Sequence, residues 1–348
     1  MKGTVIHLDS YRGRLAAARM VDGQLDDLLI AADDEVPTPG TIYRAVVDRQ
    51  FKGQGGVTLR LPDGQSGFLR RASGLRPGQS LLVQVTGYAD DGKAVPVTAD
   101  PLFKSRHVII TPGKPGYNVS RQIRDDDIRE SLLELAHDML GAPTESFGLI
   151  LRSASETADR EEVAGDLIAM SELAATVGQD TSSDPELLVE GPDPHMQAWQ
   201  DWDMPDALIT DPGNFAAQGV EDEIDKLFWP RVALSEDHWM SIEPTRALVA
   251  VDVNTGADGS LAAGLKANIA CCRALPAALR CRGLGGQIVI DMAPAPKKDR
   301  RQIDQVLTKA LRADPVSTVI AGWTPLGHVE LQRRRERLPL HQLFPEAR

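Results

Sequence analysis

Two aspartates in the last third of the chain stand at the ends of apolar runs. Asp252 closes the run Val249-Ala250-Val251, and Asp291 closes Ile288-Val289-Ile290. Neighbouring carboxylates repel each other unless a cation lies between them, and Mg²⁺ is a hard ion that takes one or two carboxylates and keeps waters for a substrate phosphate. Asn254, two residues after Asp252 and on the same side of a strand, can orient an attacking water or the phosphate. We expect Asp252, Asn254 and Asp291 to be catalytic residues, with Asp252 and Asp291 as Mg²⁺ ligands.

A purely structural role is the alternative for these three residues. Asp252 and Asn254 can form an Asx-turn into Thr255-Gly256, and Asp291 can cap the segment that follows it. Aspartate is common at the ends of strands. The spacing alone therefore does not decide between a metal site and a set of turns.

The two apolar runs belong to a region that alternates in the manner of an α/β fold. Residues 247–253 and 287–290 are continuous and β-branched, which predicts strands buried on both faces. The other predicted elements of this region are helices at residues 262–279 and 301–313 and a strand at residues 316–321. Groups at the carboxyl ends of strands in an open α/β sheet converge in one crevice, so this arrangement would bring the two aspartates together.

The first third of the chain predicts short strands. Residues 4–30 alternate as two or three strands with a turn at Asp22-Gly23, and they are too few to close a core without partners from later in the chain. After the break at residues 37–40, roughly 60 residues of short strands and glycine turns are typical of a small β-barrel, with the OB-fold a leading candidate. The predicted barrel strands are residues 41–48, 56–61, 67–70, 81–87 and 94–98.

The middle of the chain predicts helices around one strand. Residues 123–140 show helical periodicity and end at Gly141-Ala142-Pro143, as helices often do. The pattern then predicts a strand at residues 147–151, a helix at residues 158–177, an acidic loop at residues 179–194 and the end of a helix at residues 221–228.

Composition and charge limit the function classes. The 348 residues are 42% hydrophobic and 25% charged, which is a globular composition with enough length for two or more cores. The net charge is -12, but residues 180–240 hold 15 Asp/Glu and two Lys/Arg, whereas residues 297–337 hold 10 Lys/Arg and five Asp/Glu. Because phosphate binding relies on basic side chains, the basic segment is compatible with nucleic acid, as it is with a solvated face. The basic residues closest in sequence to Asp291 are Lys297, Lys298, Arg300 and Arg301.

The cysteines and the absence of long apolar segments predict a cytoplasmic protein without a membrane partner. Cys271, Cys272 and Cys281 lie in one predicted helix and offer neither a disulfide framework nor spaced zinc pairs, so we expect them to be reduced and buried. No apolar segment has the length of a signal peptide or a membrane span.

Around Asp252 and Asp291 the sequence resembles the ribonuclease E/G family. The family pattern D-[IV]-N-[ST] is present as Asp252-Val253-Asn254-Thr255, and L-G-G-x-I-V-I-D is present at residues 284–291. Each motif is weak alone, but their order and spacing are specific together. Further similarity covers most of the chain and is carried by Gly67-Phe68-Leu69, Val119-Ser120-Arg121, and Gly148-Leu149-Ile150-Leu151-Arg152-Ser153-Ala154, which is similar to the family's G-L-I-V-R-T-A.

The resemblance implies an α/β (α+β multidomain) fold. By this resemblance the domains are an RNase H-like domain in two parts (residues 1–35 and 190–228), an inserted OB-fold RNA-binding barrel (36–102), a 5′-sensor domain (103–189) and a DNase I-like catalytic domain (229–348). The first strands would then be one part of a domain that is completed much later in the chain.

The resemblance also implies a set of RNA contacts. The RNA-binding residues would be Phe68, Lys93, Val119, Arg121, Arg152 and Ser153. Phe68 would stack on a base, with a core phenylalanine as the alternative. Arg152 and Ser153 would hold the 5′ monophosphate of the RNA by charge-assisted hydrogen bonds, with an ordinary surface arginine as the alternative for Arg152.

The chain departs from the family pattern at several positions. The C-P-x-C zinc link that joins subunits is not found in this sequence, so we expect no oligomerisation through zinc. The loop after Asn254 is short, and Met292 follows Asp291 where the family has a second nearby Asp. Thr58 or Leu59 stands where a second barrel aromatic is expected, and Pro325 where the family has an Arg near the 5′ sensor. These departures concern substrate binding and 5′-end sensing, and they leave the predicted metal ligands intact.

We therefore expect a metal-dependent endoribonuclease that uses Mg²⁺, or Mn²⁺ in its place, and cleaves single-stranded RNA to 5′-phosphate and 3′-hydroxyl ends in RNA processing or decay. The first alternative is a catalytically weak RNA-binding or regulatory homologue that kept the fold. The second is a DNA nuclease, which is less expected because a barrel with a 5′-sensing segment fits splayed single strands better than duplex.

Overall fold

A computed structural model of the chain describes residues 3–51, 55–70, 72–89, 92–144 and 147–347. The strands are β1 Thr4–Tyr11, β2 Arg14–Val21, β3 Gln24–Ile30, β4 Ile42–Phe51, β5 Gly56–Arg60, β6 Ser66–Arg70, β7 Ser80–Val85, β8 Val95–Thr98, β9 Phe103–Lys104, β10 Val108–Pro112, β11 Gly116–Val119, β12 Phe147–Leu151, β13 Glu186–Val189, β14 Ala207–Ile209, β15 Arg231–Ala233, β16 Trp239–Pro244, β17 Val249–Asn254, β18 Gly286–Asp291, β19 Thr318–Trp323 and β20 Val329–Arg333. The α-helices are α1 Asp126–Leu140, α2 Arg160–Gly178, α3 Pro194–Asp201, α4 Asn214–Ala217, α5 Val220–Lys226, α6 Leu261–Cys281, α7 Arg300–Ala313 and α8 Leu340–Leu343. Among the residues described, no helix has the length and apolar character needed to cross a membrane.

The chain forms two compact units. One combines Met1–Ala32 with Pro205–Arg348, and the other is the continuous segment Asp33–Met204. The first 32 residues therefore belong to a unit whose other residues begin about two hundred positions later in the chain.

The first unit contains a small sheet in the order β14-β1-β2-β3. The turns between its first three strands, at Arg12-Gly13 and Asp22-Gly23, have positive φ angles at both residues, as type I′ turns require. β14 runs parallel to β1, with Val5 opposite Ala207. The prediction that the first strands need partners from later in the chain is therefore confirmed.

A six-stranded sheet in the order β15-β16-β17-β18-β20-β19 completes the first unit. α6 connects the parallel strands β17 and β18, and the other strand pairs are antiparallel. α6 and α7 cover one face, and their buried residues, such as Leu275 and Leu307, share one hydrophobic core with Val251 and Ile288 of the sheet. We call the opposite side the open face. Its outward side chains on the first four strands are Arg231, Ala233, Trp239, Ser241, Glu243, Ala250, Asp252, Asn254, Gln287, Val289 and Asp291.

The open face corrects one prediction from the sequence. β17 and β18 are not buried on both faces, because the helices in the described part of the chain cover one side of this sheet and leave alternate residues of both strands exposed. Val249, Val251 and Val253 point into the core, whereas Ala250 and Asp252 between them are exposed. The small side chain of Ala250 concealed this alternation in the sequence. β15, β16 and β20 were also not predicted, because each is short or carries polar residues at alternate positions.

A buried ionic cluster joins β3 to α6 and to the segment after β20. The carboxylate of Asp27, with a side chain 1% exposed, accepts a hydrogen bond from Arg337 and lies 3.2 Å from Nε of Arg280. Asp314 pairs with Arg280 and, at 2.7 Å, with Arg333. Burial disfavours the ionised form of Asp27, but the charge and hydrogen bond of Arg337 and the charge of Arg280 outweigh it and lower the pKa of Asp27.

The three cysteines are free and buried in the first unit. Burial raises the pKa of Cys272 and of Cys281 to about 12, so both are uncharged thiols at neutral pH. The prediction of buried, unpaired cysteines is confirmed.

The second unit begins with a barrel. β4, β5, β6, β8 and β7 are paired in that order, and β7 also pairs with β4, which closes the barrel. Val47, Val57, Leu69 and Val83 are among the buried residues of its core. The five predicted barrel strands are confirmed, and the closed five-stranded arrangement is OB-like.

A second layer of this unit places α1 and α2 on a four-stranded sheet in the order β11-β12-β10-β9. Ile110, Leu149 and Leu167 are fully buried between sheet and helices. The predicted helices at residues 123–140 and 158–177 are confirmed as α1 and α2, and the predicted strand at residues 147–151 is β12.

The acidic segment at residues 179–194 was predicted to be a loop, but it contains strand β13. This strand pairs with β4, with Glu186 opposite Arg44. The buried guanidinium of Arg44 binds Asp180 at 2.7 Å and also pairs with Glu186. The hydrogen bond from Arg44 lowers the pKa of Asp180. Because Glu186 of this strand depends on a partner 142 residues away, the strand leaves no periodic signal in its own sequence.

Asp27→Asn tests the ionic cluster. The substitution keeps the side chain's shape but removes the charge that faces Arg337 and Arg280, so we expect the free energy of unfolding at pH 7 to fall by about 3–5 kcal/mol in urea denaturation. Asp26→Asn is the matched control, because Asp26 also pairs with Arg19 and Arg280 but is 33% exposed. A loss below about 1 kcal/mol is expected there.

The same variant has an expected pH dependence. Because the folded-state pKa of Asp27 is lowered, its stabilising contribution is present above the unfolded pKa of about 4 and is lost as the pH falls through the folded value. The stability difference between wild type and Asp27→Asn should therefore shrink below about pH 4. A difference that is constant with pH, or a loss no larger than that of Asp26→Asn, would contradict this account.

Candidate functional site

Asp252 and Asp291 lie side by side because β17 pairs with β18. The strands are parallel, and Asp252 is the register partner of Asp291. Register partners on neighbouring strands project from the same face, and such strands lie about 4.8 Å apart. Both side chains are exposed on the open face, that of Asp291 to 65%. The structure thus brings the two carboxyl groups together, while their catalytic role stays a prediction.

Asn254 adjoins this pair on the same face. Its amide nitrogen donates a hydrogen bond to a carboxylate oxygen of Asp252 at 2.8 Å, so the amide oxygen is directed to the other side. Gly256 follows with a φ of +62°, and a Cβ atom there would lie 2.6 Å from the carbonyl oxygen of Asp237. The loop after Asn254 therefore passes in backbone contact with the turn between β15 and β16, and a side chain at position 256 would displace it.

The chain beyond Asp291 is fixed by α6. Asn268, which is completely buried, donates to the carbonyl oxygen of Ala293 and accepts from its amide, both at 2.9 Å. At Gly264 of the same helix, a Cβ atom would lie 1.9 Å from the carbonyl oxygen of Pro294. The helix and the segment after Asp291 thus meet at backbone distance. Asn268 could not be identified from the sequence, because one polar residue within an apolar helix has no recognisable pattern.

His328 is a second neighbour of the aspartates that could not be identified from the sequence. Its Nε2 lies 3.6 Å from a carboxylate oxygen of Asp291, which is longer than a hydrogen bond. The residue sits in a turn closed by the bond from the Thr324 amide to the His328 carbonyl oxygen at 2.8 Å. Only the pairing of β18 with β20, which was not predicted, brings this turn beside the aspartates.

The donor set fits a hard divalent cation. Two neighbouring carboxylates and an amide oxygen are the ligand types that Mg²⁺ prefers, and Mg²⁺ binds through one or two carboxylates while it keeps several waters. Within the residues that the structure describes, no group of three or more His, Cys, Asp or Glu side chains is arranged to hold a metal. Both carboxylates are exposed, so a cation held by Asp252 and Asp291 would keep coordination positions for water and substrate.

The basic residues after Asp291 divide into two kinds. Lys297 and Lys298 are exposed in the turn before α7, and Arg301 is exposed on the first turn of that helix. Arg300 is stacked on Trp323 of β19, with its Cζ 4.6 Å from the ring centroid. The indole nitrogen of Trp323 in turn donates to Asp304 of α7 at 2.7 Å.

In the barrel, Phe68 lies on the outer surface. It is half-buried between the exposed Ser66 and Arg70 on β6 and is not part of the buried barrel core. A Cβ atom at Gly56 on β5 would lie 2.7 Å from the Phe68 ring, so glycine lets the ring lie against the neighbouring strand. This position differs from that of a core phenylalanine. Lys93 is exposed in the segment before β8.

The remaining predicted RNA contacts lie in the layer with α1 and α2. Val119 is buried as the register partner of Leu151, so a contact at this residue is restricted to its main chain. Arg121 is exposed just after β11, and Ser153 is half-buried in the turn after β12.

Arg152 is held by the end of α3. Its Nη1 donates to the carbonyl oxygens of Ser105 at 2.6 Å and of Gln200 at 2.7 Å. Its Nη2 donates to the carboxylate of Asp201 at 2.9 Å, and Asp201 also pairs with Lys104. The guanidinium therefore binds the negative end of the helix dipole. A phosphate at Arg152 would have to displace Asp201, and its role as a phosphate ligand stays a prediction.

Fold and site together define a mixed α/β protein that combines an OB-like barrel with a two-carboxylate site on an open sheet face. The profile of the Ribonuclease E/G family matches residues 103–212 and 208–336, more than half of the chain. The chain therefore belongs to the ribonuclease E/G family.

Individual relatives agree with this assignment. Ribonuclease E of Nostoc sp. strain PCC 7120 is 27% identical over 388 residues, covering 95% of this chain and 56% of the relative. Ribonuclease G of Haemophilus influenzae is 29% identical over 311 residues, covering 78% of this chain and 62% of the relative. Ribonuclease G of Escherichia coli K12 is 27% identical over 309 residues, covering 76% of this chain and 61% of the relative. The chain thus spans between half and two thirds of the length of these relatives.

Asn268→Leu tests how the segment after Asp291 is held. Leucine has a similar volume but leaves the amide and carbonyl of Ala293 without their buried partner, so we expect the free energy of unfolding to fall by about 1–3 kcal/mol. Arg273→Leu is the control on the same helix, because Arg273 is exposed. A change within about 0.5 kcal/mol is expected there in urea denaturation. Equal effects of the two substitutions would show that the Asn268 hydrogen bonds do not anchor this segment.

Proposed function

We propose that this protein is a metal-dependent endoribonuclease that hydrolyses single-stranded RNA to products with 5′-phosphate and 3′-hydroxyl ends, in RNA processing or decay. The observation that carries the proposal is the register pairing of Asp252 with Asp291 on an exposed sheet face. Membership of the ribonuclease E/G family, with relatives named Ribonuclease E and Ribonuclease G, supports the same reaction class.

In this proposal Asp252 and Asp291 hold the ion, with Mg²⁺ as the first choice and Mn²⁺ as a substitute. When bound, the ion supplies Lewis-acid stabilisation of charge on the scissile phosphate and lowers the pKa of a water. Asn254 orients Asp252 through its amide nitrogen and presents its amide oxygen as an acceptor for a water proton. The exposure of both carboxylates leaves room for an RNA backbone to approach, which a buried structural site would not allow.

The proposed RNA contacts follow the family resemblance. Phe68 would stack on a base from the outer surface of the barrel, and Lys93 would pair with the backbone. Arg121, Arg152 and Ser153, with the main chain of Val119, would form the contacts near the 5′ end. The proposed domains are the divided RNase H-like domain (residues 1–35 and 190–228), the OB-fold barrel (36–102), the 5′-sensor domain (103–189) and the DNase I-like catalytic domain (229–348).

A catalytically weak RNA-binding homologue is the second candidate. Among the described residues, no group of three or more His, Cys, Asp or Glu side chains is arranged to hold a metal, which favours this candidate. Met292 follows Asp291 where the family has a further Asp nearby. The two candidates share RNA binding and differ in whether the ion supports turnover.

Asp252→Asn separates these candidates. Loss of one carboxylate removes a charge that holds the ion, so we expect Mg²⁺-dependent cleavage of a short 5′-monophosphorylated single-stranded RNA to fall by about 100-fold or more, while RNA binding measured by fluorescence anisotropy is retained. Asp258→Asn is the matched control, because Asp258 lies in the loop after β17 and binds the Ser260 amide, and we expect wild-type rates.

Three outcomes decide between the possibilities. Equal cleavage by wild type and Asp252→Asn would contradict the proposed site. RNA binding without cleavage by the wild type would favour the binding homologue. Competition by duplex DNA as effective as that by single-stranded RNA would favour a DNA nuclease.

Asp201→Asn tests the proposed 5′-end contact. If Arg152 binds a 5′ monophosphate, the phosphate competes with Asp201 for the guanidinium, so removal of this carboxylate should increase the preference for 5′-monophosphate over 5′-hydroxyl RNA. The expected change in the ratio of kcat/KM values is roughly 2- to 10-fold, equivalent to one net hydrogen bond. Asp203→Asn is a nearby control with an exposed side chain. An unchanged or decreased ratio in Asp201→Asn would assign Arg152 a structural role only.

A further inference from the structure

Beside the aspartate pair, the open face carries an arginine stacked on a tryptophan. Arg231 on β15 has its Cζ 4.7 Å from the ring centroid of Trp239 on β16. Arg231 is exposed and Trp239 is half-buried. Their sequence neighbours point to the opposite side, since Met240 is fully buried in the core and Val232 packs against it. The stack therefore belongs to the surface and is not needed to fill the core.

The strand registers fix where this stack lies. Arg231 is opposite Ser241, Ser241 is opposite Asp252, and Asp252 is the partner of Asp291. These four residues thus form one row across four strands of the open face. Trp239 lies in the next row and is directly opposite Asn254. Opposite residues of an antiparallel pair have Cβ atoms about 5 Å apart, and diagonal neighbours about 7–8 Å, so Trp239 is the immediate neighbour of Asn254 and the diagonal neighbour of Asp252.

A guanidinium stacked on an indole has a defined binding chemistry. Both groups are planar, and nucleobases stack on the faces of aromatic rings and of arginine side chains. The guanidinium also keeps its positive charge and its fork of N–H donors, which suit a phosphate oxygen. Such a pair therefore matches one nucleotide of a single strand, with its base on the planar surface and its phosphate near the charge. A duplex would hide its base faces and could not stack there.

We infer that Arg231 and Trp239 form a stacking subsite for the base of the nucleotide next to the scissile phosphate of single-stranded RNA. The inference rests on the proposed function, since it takes the carboxylate pair as the place of cleavage. Trp239 and Asn254 are opposite each other on neighbouring strands. A nucleotide stacked on Trp239 would therefore be adjacent to the scissile phosphate and not distant from it. The contact strengthens binding and orients the strand, while Asp252 and Asp291 hold the ion.

Steady-state cleavage of a defined RNA tests this subsite. The probe is a ten-nucleotide 5′-monophosphorylated RNA, together with versions in which one nucleotide on either side of the mapped cleavage position is abasic. We expect Trp239→Ala to raise KM roughly 5- to 100-fold, the loss of one stacked base, with kcat changed much less. Trp239→Phe keeps an aromatic face and should stay near the wild type. Trp229→Ala is the matched control, because Trp229 is 72% exposed in the same unit and outside the sheet.

The abasic probes identify the partner of the stack. For the wild type, one abasic position next to the cleaved bond should raise KM by the same factor as Trp239→Ala, and for Trp239→Ala the same abasic position should have no further effect. Arg231→Gln alters only an exposed side chain and should raise KM in the same direction, which keeps the test valid if Trp239→Ala does not fold, as judged by circular dichroism.

Two results would overturn the subsite while leaving the proposed function intact. One is equal KM values for Trp239→Ala, Trp229→Ala and wild type. The other is an abasic penalty that persists in full in Trp239→Ala. Absence of cleavage by the wild type would instead overturn the proposed function and, with it, the subsite.

Discussion

The side-by-side placement of two carboxylates depends on the parallel pairing of β17 with β18. Side chains alternate between the faces of a strand, so a shift of one residue in this register would turn one aspartate into the core and leave the other exposed. In the observed register, Asp252 and Asp291 share the exposed face and are neighbours. Two like charges at this distance oppose each other unless a cation joins them. The candidate site is therefore defined by the pairing of two strands, not by either motif alone.

α6 and its contacts set this register. The helix is the connection between the two parallel strands, and its buried Asn268 binds both backbone groups of Ala293 just after Asp291. At its other end, Arg280 enters the ionic cluster with Asp27 of β3. A helix fixed at both ends limits how far β18 can slide along β17. In this way the first strands of the chain contribute to a site whose residues lie more than two hundred positions later.

The sequence predicted the elements that carry strong local signals. The five barrel strands, α1, α2, α6 and α7 could be predicted because their periodicity, turn residues and glycine or proline boundaries are all local. β13 could not, because its stability depends on Arg44 and on pairing with β4. The open face was not predicted, because Ala250 and Val289 are apolar residues at outward positions. They make the sequences of β17 and β18 continuous apolar runs, which are typical of strands buried on both faces.

Three residues of the candidate site stand out in the sequence, whereas the residues around them do not. Asp252, Asn254 and Asp291 stand at strand ends within recognisable motifs, and these motifs led to the family that the chain belongs to. His328 and the stack of Arg231 on Trp239 come beside them only through antiparallel pairings with β16 and β20. Arg152 could be singled out from the sequence, but its contacts could not be predicted. They involve Gln200 and Asp201, which lie about fifty residues away in the chain.

Anomalous diffraction from crystals soaked in Mn²⁺ is the most direct test of the idea that one ion is shared by the two aspartates. The account predicts a single strong peak on the open face, within about 2.0–2.6 Å of a carboxylate oxygen of Asp252 and of one of Asp291, the range of metal–oxygen bonds of hard divalent ions. A peak bound by one aspartate alone with the other turned away, or Mn²⁺ held only elsewhere on the protein, would contradict it.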